Sequence, residues 1–523
     1  MIQFLLNDQT VTLHAVAPSM SVLQYLRTVL VQVGTKEGCA AGDCGACTVV
    51  LGEVLGEVWD ELHPQGQQSA LHSSPLHYKA VNACITPLAS LHGKQLITIE
   101  HLQQGGSLHP VQQAMVDCHG SQCGFCTPGI VMSLLAWWLS VGQGTASADR
   151  HDIELALSGN LCRCTGYQPI IEAAQQTLAS TDDHFRQQQA DVVQQLQALQ
   201  SDPMDDQGDT GSEGMQQNVQ FFLPGSVSAL ARLLEAHPQA RLVAGATDLG
   251  LEFTQQLAQP DTLIYTGRVQ ELTQVIDTPE QLIIGAAVTY SNAQPFLRKY
   301  FPAFADLLNR LGSLQIRNQG TLGGNVANAS PIGDTPPVLL VLAAKLKLTG
   351  TQGSREIAIE DFFNGYRQTA LRAGECIESI IIPKLSANTT LQVYKISKRF
   401  EDDISALCLA IWIQREPDAG GSDTESRRVQ AIRIACGGMA AIPKRARATE
   451  QVLQGTLFST ADVERAKATL SQDFQPIDDV RASAAYRLAV AGNLLSRAQL
   501  ELDQALAPEK LSLFSAVGAV AHD

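Results

Sequence analysis

Gly38-Cys39-Ala40-Ala41-Gly42-Asp43-Cys44-Gly45-Ala46-Cys47 decides how the chain begins to fold. Three cysteines stand in the order C-x4-C-x2-C, and Cys84 supplies a fourth far downstream. That is the plant-type spacing for one [2Fe–2S] cluster. The residues between the cysteines are mostly small. A loop of that kind can wrap closely round a cluster and turn backbone N–H groups toward its sulfur atoms. Structural zinc is the rival, but it usually takes two short knuckles of the C-x2-4-C or H-x3-5-H kind. Here one half is a three-cysteine loop and the other a single Cys, which favours iron and sulfide.

Working outward, residues 1 to 95 alternate β-like runs (Ile2–Leu6, Val11–Val16, Cys47–Leu51, Ala80–Ile85, Gln95–Ile99) with one amphipathic helix, Ser21–Val31. Asn7-Asp8 fits a hairpin turn. The reading is a small α+β domain whose cysteine loop follows the helix, with residues 60 to 76 as an inserted surface loop. Residues 96 to 184 form a mainly helical domain with a second cysteine set, Cys123 and Cys126 as C-x2-C and Cys162 and Cys164 as C-x-C. Helices expected over His109–Cys118, Thr127–Val141, Asp149–Ser158 and Gln168–Leu178 would turn two cysteine-bearing loops toward each other. Pro128 falls in the first turn of the second helix, where its missing N–H costs nothing. Spacing alone leaves zinc and [2Fe–2S] both open at this second set. Cys118 lies close by but reads as a small buried hydrophobe. Cys376, Cys408 and Cys436 stand singly in apolar stretches and read as core.

The whole chain has 523 residues, which at ~150 residues per domain suggests roughly three or four domains. Hydrophobic residues are 45% and charged residues 17%, so much of the chain should be buried in cores or interfaces. Lys+Arg 36 against Asp+Glu 52 leaves a formal charge of −16, which argues against nucleic acid or an anionic membrane as the main partner. The N-terminus lacks the basic and apolar regions of a Sec signal. The longest lipid-like run, Ile130 to Val141, is short of the ~20 residues a spanning helix needs. The expectation is a cytoplasmic protein with no membrane partner. Twelve cysteines in such a compartment point to metal or redox chemistry more than to disulfides.

Residues 185 to 218 are a Gln-rich helix followed by an acidic linker, Ser201 to Asn218, without apolar period. From 219 to 393 the pattern is α/β, with a helix expected over Ser226–His237 and a strand over Ala240–Ala244 that runs into Ala244-Gly245-Ala246-Thr247-Asp248. A second glycine-rich loop is Gly320-Thr321-Leu322-Gly323-Gly324-Asn325, closing at Gly333-Asp334. Neither is G-x-G-x-x-G, and no Walker A sequence exists, so Rossmann and P-loop sites are not supported. Two such turns can bring backbone N–H groups up to a pyrophosphate, or be tight turns with no ligand. Strands and helices continue through a further domain, 394 to 505, before a tail, 506 to 523.

Together these pieces resemble the small, iron–sulfur/flavin subunit of bacterial two-subunit xanthine dehydrogenases, in the xanthine oxidase family of molybdenum hydroxylases. The likeness is carried by Gly38–Cys47, Gly120–Gly129, Gly159–Tyr167, Gly323-Gly324-Asn325 with Asn328–Asp334, and Lys398–Ile404. It covers nearly the whole chain in order. It implies a multidomain α+β fold: a plant-ferredoxin-like domain holding a [2Fe–2S] cluster on Cys39, Cys44, Cys47 and Cys84, and a four-helix domain holding another on Cys123, Cys126, Cys162 and Cys164. A vanillyl-alcohol-oxidase-type FAD domain and an α/β flavoprotein C-terminal domain would follow. By the same resemblance FAD would touch Arg241, Leu242, Val243, Ala244, Gly245, Ala246, Thr247, Asp248, Gly323, Gly324, Asn325, Asp334, Ile377 and Lys395. Leu311 stands where many animal relatives carry Phe near the flavin ring.

The implied function is electron transfer. A large molybdopterin subunit would oxidise hypoxanthine or xanthine to urate, and this chain would pass electrons through two clusters to FAD and then NAD. Two small and two large subunits would make a heterotetramer. No residue of this chain needs to act on purine, because 523 residues leave no room for a large catalytic domain. The alternatives are the same module serving an aldehyde, carbon monoxide or aromatic acyl-CoA enzyme, and, from another class, a zinc-stabilised scaffold with no redox role.

Overall fold

A computed structural model describes residues 1–14, 16–54, 76–140, 149–180, 183–200, 220–416 and 428–502. The insertion expected at 60 to 76 (apart from Leu76), the acidic linker Ser201 to Asn218 and the tail lie outside the described residues.

The first domain is a five-stranded sheet in the order Gln9–Leu13, Ile2–Leu6, Gln95–Ile97, Thr48–Val54, Leu76–Asn82. Ile2–Leu6 and Gln95–Ile97 run parallel, and the other neighbours antiparallel. Alternate side chains of Ile2–Leu6 and Thr48–Val54 (Phe4, Val49, Leu51) face a core shared with Leu23, Leu26 and Leu88. The expected helix at Ser21–Val31 is shorter and uneven. Ser21 caps an α-turn, Val22–Gln24, which passes into a π-turn, Tyr25–Val29, where Leu30 N–H bonds back to Tyr25. Leu76–Asn82 ends before Cys84, so Cys84 sits in the turn beyond the sheet and not on a strand.

The second domain has four helices, Pro110–Asp117, Thr127–Ser140, Arg150–Leu157 and Gln168–Thr177. Thr127–Ser140 is buried on all sides from Gly129 to Leu139, as a central helix must be when it is apolar all round. Helices His184–Gln187 and Gln189–Gln200 follow, the second laying Val192 and Leu196 against Leu5 and Leu76 of the first sheet.

The third part holds a parallel sheet, Gln220–Phe222, Thr262–Tyr265, Arg241–Val243. It also holds an antiparallel sheet of five strands in the order Gly353–Ala358, Lys345–Gly350, Cys376–Pro383, Gln281–Gly285, Val275–Asp277. The last part is a four-stranded antiparallel sheet, Thr389–Ile396, Leu407–Arg415, Val429–Gly437, Lys444–Arg445, covered by helices that include Ala484–Leu502. Cys376, Cys408 and Cys436 are buried in these cores. Among the described residues no helix is long and apolar enough to cross a membrane.

Candidate functional site

The first cysteine loop is built from left-handed backbone. Ala40 (φ 52°), Gly42 (φ 80°) and Gly45 (φ 67°) turn it back on itself between Cys39 and Cys47. The turn brings Cys39 within hydrogen-bonding reach of Cys44 and Cys84, and Cys47 within reach of Cys84. Those contacts hold the Cys39 thiol far below the usual range and push Cys44 and Cys84 above it, with burial adding to the rise. One proton leaving such a group while its neighbours donate to the sulfur is how a set of thiols behaves before a metal takes their protons. The Ala41 N–H donates to Cys39 Sγ at 3.3 Å. A Cβ on Gly38 would sit 2.8 Å from Cys44 Sγ, so the loop leaves no space for a side chain there. Four sulfurs, backbone donors aimed at them and a glycine-lined cradle fit a [2Fe–2S] cluster.

The second set has its thiols in two pairs, Cys126 with Cys162 and Cys123 with Cys164. Burial first and then Cys162 push the Cys126 thiol up to about 12. Burial opposes ionisation of Cys162, but the Thr165 hydroxyl, at 3.1 Å, and nearby backbone donors outweigh it and bring the thiol below its usual range. Tyr167 fixes this loop: its hydroxyl accepts the Cys162 N–H at 2.7 Å and donates to the Asn160 carbonyl at 3.1 Å. Thiols in two pairs are what a binuclear cluster takes, and the set fits one. Cys118 donates instead to Gln176 Oε1 at 3.1 Å.

The two loops touch. Leu161, next to Cys162, donates its N–H to the Cys44 carbonyl at 3.0 Å. Cys123 and Cys164 are exposed, whereas Cys47 and Cys84 are buried. The first loop also meets the third part of the chain. Gln255 donates to the carbonyls of Cys39 and Ala40 at 3.2 and 3.0 Å, and a Cβ on Gly42 would come within 3.2 Å of Ile316.

The glycine-rich loops lie in that third part. Among the described residues no acceptor pairs with the N–H groups of Gly245, Ala246, Thr247 or Asp248, which follow the carboxyl end of Arg241–Val243. Such a run of free donors at a strand end can receive an anionic group. Both loops also hold a non-glycine residue in left-handed conformation, Ala246 (φ 59°) and Ala329 (φ 48°). Strain of that kind persists where surrounding structure imposes it. Gly245 and Gly323 are demanded by packing: a Cβ would lie 1.8 Å from the Gln319 carbonyl oxygen and 2.4 Å from that of Ala286. Gly324 is exposed, and its N–H donates to Thr321 Oγ1 at 2.9 Å. Arg241 and Glu252 form a two-pronged ion pair at 2.6 and 2.8 Å, and Leu242 is partly exposed beside it. Asp334 is buried and accepts from Lys395 Nζ at 2.8 Å and Ser405 Oγ at 2.6 Å. Thr335 donates to Asn325 at 2.5 Å, and Ile377 is buried in the adjoining sheet. Leu311 packs, half-buried, against the same core. The chemistry of this donor set, free backbone N–H groups near one loop and a lysine–aspartate pair below the other, fits a dinucleotide such as FAD. Sequence reasoning missed Gln255, Gln315 and Asn318, which join the domains; none carries a local motif.

Comparison with known proteins follows the same four parts. Residues 4–89 match the 2Fe-2S iron-sulfur cluster binding domain and residues 98–175 the [2Fe-2S] binding domain. Residues 217–385 match the FAD binding domain in molybdopterin dehydrogenase, and residues 392–502 the CO dehydrogenase flavoprotein C-terminal domain. Xanthine dehydrogenase of Drosophila pseudoobscura pseudoobscura is 32% identical over 96% of this chain and 39% of its own length. Xanthine dehydrogenase/oxidase of Mus musculus is 31% identical over 84% of this chain and 34% of its own. Carbon monoxide dehydrogenase from Hydrogenophaga pseudoflava aligns with a TM-score of 0.50 and 27% identity, covering 54% of this chain and 96% of that one. The chain thus spans well under half the length of the curated relatives it matches. It is an iron–sulfur and FAD-binding module typical of the xanthine oxidase family of molybdenum hydroxylases. The likeness reaches eukaryotic xanthine dehydrogenases and carbon monoxide dehydrogenase alike, and does not single out the bacterial two-subunit purine enzymes.

Proposed function

We propose that the chain carries electrons between a molybdopterin-bearing partner subunit and an acceptor. Clusters bound at the two cysteine sets would supply one-electron steps, and FAD would exchange single electrons with them and pairs with a nicotinamide. Cys123, Cys126, Cys162 and Cys164 would hold the outer cluster at the partner's side. Cys39, Cys44, Cys47 and Cys84 would hold the inner one. Arg241 to Asp248, Gly323, Gly324, Asn325, Asp334, Ile377 and Lys395 would hold FAD, with free N–H groups of the first loop on its phosphates. The observation that supports the order is that the Cys39–Cys47 loop bonds both to Leu161, beside Cys162, and to Gln255 of the flavin part, while Cys123 and Cys164 of the other set are exposed.

The partner would set the substrate. The match to xanthine dehydrogenase over 96% of this chain supports a purine enzyme; NAD would be its acceptor. A second reading, the module of another molybdenum hydroxylase, has support at least as strong: the carbon monoxide dehydrogenase chain aligns over 96% of its length. Mass analysis of the co-purified subunit, with turnover of xanthine, carbon monoxide and aldehydes by the complex, separates them. Metal analysis tests the module itself. Two clusters give four irons and acid-labile sulfide per chain, whereas zinc without sulfide would leave only a scaffold.

A further inference from the structure

We propose that Gln315 is a positioning residue which holds both cysteine clusters in register with the flavin part of the chain. The inference rests on the two-cluster reading above and adds to it what sets the distances between the centres. Gln315 lies in the short helix Leu314–Arg317 and is fully buried. Its Nε2 donates to Ser133 Oγ at 3.1 Å and to Asn160 Oδ1 at 3.0 Å, both in the helical domain. Ser133 donates to the same Asn160 oxygen at 2.6 Å. The other end of Asn160 donates to the Gly45 carbonyl at 3.2 Å and to Thr48 Oγ1 at 3.3 Å in the first domain. One amide thus links three domains through one further amide.

The places it reaches are the ligand loops. Asn160 stands two residues before Cys162, and Gly45 stands between Cys44 and Cys47. The backbones themselves are pressed together at this point. A Cβ on Gly159 would lie 2.2 Å from Gln315 Oε1, one on Gly45 2.2 Å from the Gly159 carbonyl oxygen, and one on Gly129 2.1 Å from the Gly45 carbonyl oxygen. Buried hydrogen bonds of this kind favour one arrangement because each partner left alone is costly; here Gln315 Nε2 is paired twice, whereas its Oε1 finds no donor among the described residues. Electron transfer falls steeply with distance, so what ties the two ligand loops to the flavin part bears on its rate.

The test uses the full chain loaded with iron, sulfide and FAD. Gln315→Met keeps the length of the side chain and removes its donors. It is expected to retain the wild-type iron content and each cluster's own EPR g-values. The splitting that the two reduced clusters impose on each other should change, and NADH should reduce the outer cluster several-fold more slowly. Ser133→Ala, which leaves the Gln315–Asn160 bond, should give a smaller change of the same sign. Gln315→Met with a lowered Tm but wild-type splitting and rate would overturn the proposal. If Gln315→Met does not fold, Ser133→Ala decides: an altered splitting supports the assignment, and a wild-type splitting overturns it. Zinc and no EPR signal in the wild-type chain would instead sink the two-cluster reading, whatever Gln315 does.

Discussion

At the scale of single residues, Cys162 and Gly324 separate ligand roles from packing roles. Cys162 is the thiol of the outer set that its surroundings favour as thiolate, through Thr165 and backbone donors. Cys162→Ser should therefore abolish or alter one EPR signal and leave the signal of the inner cluster intact, because Cys39, Cys44, Cys47 and Cys84 lie in another domain. Loss of both signals would mean that the two sets are not independent sites. The glycines of the second loop divide differently from what their adjacency suggests. Gly323→Val would drive a side chain into the Ala286 backbone and cost the fold about 1–3 kcal/mol or more. A Cβ on Gly324 would meet Thr321 Oγ1 at 2.8 Å and nothing else within 4 Å, so Gly324→Val should act mainly on that helix cap, by about 1 kcal/mol. Gly324→Val is thus the usable probe: flavin extracted per chain should fall while iron stays at the wild-type level. Full flavin occupancy would show that the loop is a turn with no part in binding.

At the scale of elements, the strand Thr48–Val54 carries the first domain's ion pairs toward the flavin part. Glu53 bonds Lys79 at 2.6 Å and Lys94 at 2.8 Å, and Lys94 also donates to the Tyr265 hydroxyl at 3.1 Å on the strand Thr262–Tyr265. Burial would raise the Glu53 carboxyl, but the two lysines outweigh it and hold the group at about 2. A depressed carboxylate stabilises the fold fully above its unfolded value, about 4.3, and that contribution is lost as pH falls toward 2. Glu53→Gln should destabilise the chain at pH 7, by about 3 kcal/mol at most, since the two lysines are only partly covered and Lys94 keeps its bond to Tyr265. The gap from wild type should narrow in denaturant titrations carried from pH 5 down to pH 3; a gap that does not change with pH would mean the pair is not what stabilises the seam. The sequence made some of this scale legible. Cysteine spacing, caps such as Asp149 and Pro at the first helical turn are local signals, and the four helices of the second domain start and end close to where those signals stand. The π-turn at Tyr25–Val29 was not legible, because apolar spacing does not separate i→i+4 from i→i+5 bonding over one turn. Nor was the junction of Gln315 and Asn318, whose partners in the first two domains lie 155 to 238 residues away in the chain. A polar residue gains that role from the fold, and nothing in its neighbours marks it.

At the scale of the whole molecule, the two cysteine sets differ in what covers them, and that difference predicts a division of labour. The inner set has Cys47 and Cys84 buried and Cys39 and Cys44 half-buried, and its loop is contacted by Gln255, Ile316 and Leu161. The outer set leaves Cys123 and Cys164 exposed, with Phe125 and Leu161 half-exposed beside them. Large apolar side chains at the open edge of a metal-binding loop are what a partner surface would cover. On the proposed reading electrons enter there from the partner and leave at the flavin, so the chain by itself holds only the second half of the route. Loaded with clusters and FAD but stripped of any partner, it should oxidise NADH with an artificial dye and hydroxylate neither xanthine nor any other molybdenum-hydroxylase substrate. Cys162→Ser should keep that dye activity, since on the proposed reading the flavin would receive electrons from NADH before any cluster, and yet should block substrate-driven reduction of the flavin once the partner is added back. Stopped-flow absorbance of the flavin in the reconstituted complex reads the second effect directly. Hydroxylation by the rigorously purified single chain would end the division of labour, and unimpaired substrate-driven reduction in Cys162→Ser would show that the exposed set is not the entry point.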